Sequence, residues 1–121
     1  MCYLLVASAC WAEEAIPFKK IYQDWSSNPF KAERIWVGET VCVEGEIASL
    51  GKNVNGGPTI VLIDPSGQLN SIYFFGFKNV PDRFFDVEKG QIVKLKGKIF
   101  ELEKSDKGGL LVWIDYAQFS D

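Results

Sequence analysis

The sequence predicts a mostly β fold, a small five-stranded Greek-key barrel with an N-terminal helical leader. Two observations carry this. The hydrophobic period changes from three-to-four before Glu39 to two from Thr40 onward. Five short alternating or apolar runs then follow, separated by Gly- and Pro-rich turns, with one helical connection between the third and the fourth. With 121 residues, 47% hydrophobic and 24% charged, the chain has material for one core and one domain.

Residues 1–12, MCYLLVASACWA, carry no charge, and Glu13 begins ordinary polar sequence. An apolar run ending in small residues has the form of a signal-peptide end, with cleavage suited to Ala7-Ser8-Ala9 or to Cys10-Trp11-Ala12. Ala7-Ser8-Ala9-Cys10 also reads as a loose lipoprotein box, with Cys10 as the lipidated residue and a possible membrane anchor. No Lys or Arg precedes the run, and it is shorter than the roughly 20 residues that span a bilayer. An apolar N-terminal strand or helix packed on the domain is the competing reading. The expected address is the periplasm or cell envelope, with the cytoplasm as the alternative.

From Glu13 to about Glu39, residues such as Ile16, Ile21, Tyr22 and Trp25 recur at helical spacing, with Pro17 in the first turn. Ser26-Ser27-Asn28-Pro29 breaks this helix. A second short helix then runs from Phe30 to Trp36, capped by Asn28 with Pro29 at its first position. The expected organisation is thus an apolar segment over 1–12, a helical leader over 13–38 and a barrel over 39–121.

In the first strand Val41, Val43, Gly45 and Ile47 alternate with Cys42, Glu44, Glu46 and Ala48. Gly51–Pro58 is a turn-rich loop, Thr59–Asp64 a short buried strand, and Pro65-Ser66-Gly67 its closing turn, which Asp64 caps. Leu69–Phe77 is an aromatic strand broken at Gly76, and Asn79–Glu88 a helical connection. Gln91–Phe100 alternates Val93, Leu95, Gly97 and Ile99 with three lysines. Glu101–Gly109 is a charged loop, and Leu110–Phe119 the last strand. Five strands in this order, with a helix between the third and fourth, make an OB-fold. Gly45 and Gly97, inside alternating strands, mark the kinks that curl such a barrel shut.

The runs NPFKAERIWVGETVCVEGEI (28–47), IDPSGQLNSIYFF (63–75) and VEKGQIVKLKGKI (87–99) resemble the tRNA-anti-like family of bacterial OB-fold proteins. The matching positions are Gly38, Val41, Val43, Gly45 and Ile47 in the first run. In the last they are Lys89, Gly90, Gln91, Val93, Leu95 and Gly97. The resemblance implies the fold, and often an exported lipoprotein or small envelope protein. Its motifs are fold-forming, so it implies no catalytic residue and transfers no tRNA binding.

The composition narrows the chemistry. Histidine is absent, which removes Ser-His and Cys-His catalysis and His-based metal sites. No Ser or Cys stands beside a plausible base, no cysteine spacing forms a metal knuckle, and no cofactor motif occurs, so neither an enzyme nor a cofactor is expected. Thirteen Lys and Arg against 16 Asp and Glu give a net charge of −3, which argues against coating nucleic acid by bulk charge. Glu101, Glu103 and Asp106 follow no cation-loop pattern. Cys2, Cys10 and Cys42 imply no disulfide framework, and Cys42 is expected to be a small buried residue.

A binding face remains. OB-folds bind over their second and third strands, between the first-to-second and fourth-to-fifth loops. Strand alternation sends Tyr73, Phe75 and Phe77 to one side and Ile72 and Phe74 to the other, with one side outward. The candidate ligand-binding residues are Tyr73, Phe75, Phe77, Lys78 and Trp113, with Lys52 and Asn53 in the first loop and Lys104 and Lys107 in the second. Outward rings suit a protein, glycan or small ligand, or the bases of a single-stranded nucleic acid. The same rings could instead pack beneath the helical leader. Lys94, Lys96 and Lys98 are expected to face Glu44 and Glu46 of the first strand as a neutralised surface.

Overall fold

The computed structural model describes residues 18–63, 71–78, 81–106 and 108–120. The helical leader is two helices, α1 (Phe18–Ser27) and α2 (Pro29–Trp36). Asn28 separates them in extended conformation, and its Oδ1 accepts hydrogen bonds from the backbone N–H groups of Phe30 and Lys31 at 3.1 and 3.3 Å. Pro29 takes the first helical position, where its missing N–H leaves nothing unsatisfied. The two helices are tied by the Trp36 indole, whose Nε1 donates to an Asp24 carboxylate oxygen at 2.8 Å, and Lys20 pairs with the other oxygen at 3.3 Å. Ile21 and Ala32 are the buried anchors that seat the pair on the barrel.

Five strands follow: β1 (Thr40–Lys52), β2 (Pro58–Ile63), β3 (Ser71–Phe74), β4 (Ile92–Lys104) and β5 (Leu110–Phe119). They close a barrel in the order β1-β2-β3-β5-β4, with β3 and β5 parallel and every other pair antiparallel. Strands make up 51% of the fold, which is the OB-fold the alternation predicts. Among the described residues, the connection between β3 and β4 carries one 3₁₀ turn, Asp82–Phe85. The interior is aliphatic: Ile47, Ile60, Leu62, Ile72, Leu95, Ile99, Leu110, Val112 and Ile114 surround Phe74, each under 2% exposed.

Two strands outrun their expected ends. β1 continues to Lys52, so the first loop narrows to residues 53–57. β4 continues through Glu101–Lys104, which alternation alone assigns to a loop. The reason is a register shift between Ile99 and Glu101, after which the alternation resumes one residue out of step with Leu102 buried. β3, by contrast, stops at Phe74, because Gly76 turns the chain at φ +72°.

Gly97 is a close approach between two strands of the barrel. It lies opposite a bulge in β5 where Tyr116 adopts φ +54°, and a Cβ at Gly97 would overlap Ile114 Cγ2 and lie 2.7 Å from the Asp115 carbonyl oxygen. Gly45 sits in a regular stretch of register, packed against Leu62 and Ile63.

Cys42 is 6% exposed, as expected, and it is also disulfide-bonded, a bond that the cysteine pattern did not announce. Three cysteines preclude a framework of bridges, yet they leave room for one bond. Cys2 and Cys10 lie outside the described residues, as do the signal-like segment and the Asp64-capped turn.

Candidate binding face

The interior parity of β3 belongs to Ile72 and Phe74, both fully buried, which leaves Tyr73 and Phe75 on the solvent side. Parallel pairing sets Tyr73 beside Trp113 of β5, and the two rings stack with centroids 4.6 Å apart and planes at 29°. Phe75 meets Trp113 edge-on at 6.2 Å and Phe100 at 5.9 Å. Among the described residues, the ring contacts of Tyr73, Phe75 and Trp113 run along the barrel wall rather than to α1 or α2.

Trp113 is held in place. Its indole Nε1 donates to Glu103 Oε1 at 2.9 Å, across two β4 positions made outward-facing by the register shift. Beside the rings lies a groove of about 130 Å³ lined by Asn53, Thr59, Tyr73, Phe74, Phe75 and Trp113. Its rim at Asn53 is self-supporting: the side-chain Oδ1 accepts from the backbone N–H groups of Asn55 and Gly57, both at 2.9 Å. On the opposite loop, Ser105 Oγ accepts from the Gly109 N–H at 3.0 Å. Both flanking loops are therefore tight turns rather than long arms.

The expected site residues divide. Tyr73, Phe75, Trp113 and Asn53 come together around the groove. Phe77 does not join them. With β3 ended and Gly76 turned, its ring is 7% exposed and packs between Phe84 at 4.9 Å and Phe119 at 5.8 Å, where it belongs to the core. The Arg83 guanidinium covers that cluster from outside, 4.8 Å above the Phe119 ring. Lys78 is exposed beyond this turn, and Lys107 lies outside the described residues.

Lys52 and Lys104 are exposed, but their register places them off the face. Lys52 pairs with Pro58, one step beyond the inward Leu50–Ile60 pair and its outward neighbour Gly51–Thr59. Lys104 pairs with the buried Leu110. Both therefore have interior parity and stand at the barrel's rim. Glu101 and Glu103 have the outward parity, opposite Trp113 and Leu111. Sequence reasoning missed Glu101, Glu103, Phe100 and Thr59 here. The signal for the glutamates was the renewed alternation Glu101-Leu102-Glu103, legible once a one-residue slip is allowed.

The lysine stripe only partly meets its expected partners. Lys94 faces Glu44, but Lys96 faces Cys42, Lys98 faces Thr40, and Glu46 faces Ile92. No group of His, Cys, Asp or Glu able to hold a metal ion occurs among the described residues, and no helix there is long and apolar enough to cross a membrane.

Comparison with known proteins places this geometry. The tRNA_anti-like family model matches residues 9–108. Among solved structures, the chain is similar to a "putative nucleic acid-binding lipoprotein" of Klebsiella pneumoniae subsp. pneumoniae MGH 78578, with a TM-score of 0.66 and 15% identity, covering 97% of this chain and 96% of that one. A "putative aspartyl-tRNA synthetase" of Leishmania major Friedlin aligns over 80% of this chain and 19% of its own, at a TM-score of 0.46 and 15% identity. No curated protein sequence matches the chain.

Proposed function

The chain belongs to the tRNA_anti-like family, and from that premise we propose that it is a non-enzymatic binding module whose ligand docks on the outer face of β3 and β5. One observation carries the reading: Tyr73 and Trp113 stack on the solvent side of a rigid barrel, next to a groove that Phe75, Thr59 and Asn53 complete. A Trp pinned by a hydrogen bond at 2.9 Å and flanked by two further rings presents apolar surface with little ordering left to lose. The family is an OB-fold type rather than an enzyme class.

The proposed address is the cell envelope, with Cys10 as a candidate lipidation site. The apolar start supports it, as does the lipoprotein name of the Klebsiella structure. The Cys42 disulfide supports export but not the lipidation, because such bonds persist in oxidising compartments and use a sulfur that lipidation would block. Processing before a lipidated Cys10 removes Cys2 and blocks the Cys10 sulfur, so within one chain lipidation at Cys10 and the Cys42 disulfide exclude each other.

A second reading, single-stranded nucleic-acid binding, is favoured by the same rings, since each stacked base contributes about 1–3 kcal/mol. A panel of labelled probes titrated onto the full chain tests the proposal: an oligothymidylate, a basic peptide, an acidic peptide and a chito-oligosaccharide. Binding of at least one probe, lost in Tyr73→Ala and Trp113→Ala, is the expected result. Binding that neither substitution changes would refute it.

A further inference from the structure

We infer that the outer face receives an arginine side chain presented by an extended segment of a partner protein. This rests on the proposed binding face and names its occupant. Three observations point to it.

The first is size. The groove of about 130 Å³ falls well below the roughly 300–1,000 Å³ of small-molecule sites, so it takes one planar group rather than a whole ligand. The second is charge. Glu101 and Glu103 lie on the face itself, and among the described residues neither forms an ion pair with a cation. Glu103 Oε1 receives the Trp113 indole hydrogen at 2.9 Å, while its second oxygen remains open. Lys52 and Lys104 have rim parity, and the outward Lys98 stands opposite the carboxylate residue Asp115 of β5. A phosphodiester laid along these rings would meet carboxylates first, whereas a cation meets attraction. The third is shape. Rings on two adjacent strands offer π-faces and edges beside paired carboxylates, which suits a guanidinium that stacks flat and presents its N–H groups to an acid. An ammonium lacks the flat face, and a neutral urea lacks the charge. The chain's net charge of −3 favours the approach of such a partner.

The test uses short blocked Gly/Ser peptides carrying one arginine, lysine or citrulline, with oligothymidylate as a fourth probe. Binding to the full chain is followed through the Trp113 indole N–H resonance, assigned by Trp113→Phe. The arginine peptide is expected to shift that resonance saturably and to bind at least about five-fold more tightly than the citrulline peptide. Glu103→Gln, which keeps a hydrogen-bond acceptor and removes the charge, is expected to weaken the arginine peptide about two- to five-fold. Equal affinity for arginine and citrulline overturns the inference, as does an unchanged affinity in Glu103→Gln. If oligothymidylate moves the resonance and binds more tightly to Glu103→Gln, the arginine assignment falls while the face stands as a binding site. If none of the four probes moves it, the arginine assignment falls, and the acidic-peptide and chito-oligosaccharide arms of the wider panel decide the face.

Discussion

Glu103 accepts the Trp113 indole N–H at 2.9 Å from a strand position that lies two residues away in the β4–β5 register. That bond fixes the central ring of the outer face and places a carboxylate at its edge. The same register shift that turns Glu101 and Glu103 outward leaves Lys104 at the rim, so one bulge sets both the shape and the charge of the site.

The aromatic residues of the β3 segment divide into wall and core. Phe77→Ala removes a ring packed on Phe84 and Phe119 and is expected to cost about 3–5 kcal/mol. Tyr73→Ala loses one exposed stacking contact, worth about 0.5–1.5 kcal/mol. Urea unfolding of both variants checks the difference. Ligand affinity is expected to fall in Tyr73→Ala and to hold in whatever fraction of Phe77→Ala stays folded.

Closure depends on Gly97. A methyl group there meets Ile114 and the Asp115 carbonyl oxygen at 2.7 Å, both on the neighbouring strand. Gly97→Ala is expected to destabilise the barrel by about 1–3 kcal/mol. At Gly45 the nearest atom to a new Cβ is the Ile63 carbonyl oxygen at 3.2 Å, so Gly45→Ala should cost less. Thermal unfolding of the two variants gives the order directly.

Acid should loosen the helical leader. The Trp36 indole N–H donating to Asp24, with the Lys20 ammonium beside it, holds that carboxyl below its usual value of 3.8. The unfolded chain therefore binds this proton more readily, so Asp24 contributes stability above about pH 4 that is lost as pH falls through its folded value. Asp24→Asn is expected to cost about 1 kcal/mol at neutral pH. That difference from wild type should shrink below pH 4, as measured by urea titrations across the acid range.

Cys42 should be sensitive to reductant. Its disulfide ties a β1 position buried to 6% exposure, and breaking it with dithiothreitol or by Cys42→Ser is expected to remove about 2–4 kcal/mol. A Tm that dithiothreitol lowers in wild type but not in Cys42→Ser is the signature. An equal shift in both would contradict it.

Much of this was legible in the residues. Alternation located all five strands, and β5 matched over Leu110–Phe119 because its apolar run ends in clear turns. Asn28 and Pro29 announced the second helix through capping chemistry alone. The site was half legible. Parity put Tyr73 and Phe75 on one side, but only the buried Ile72 and Phe74 decide that this side faces out. Phe77 was misplaced because a period-two count runs on through a glycine turn that ends the strand. The glutamates and the rim lysines depend on register, which is set by pairing between strands distant in sequence and by a bulge with no strong local signature.

The most direct test is a backbone amide shift map of the full chain titrated with the arginine peptide. Saturable shifts concentrated at Thr59, Tyr73, Phe75 and Trp113 are the predicted result. Shifts confined to the opposite wall, around Glu44, Glu46 and Ile92, would contradict the account.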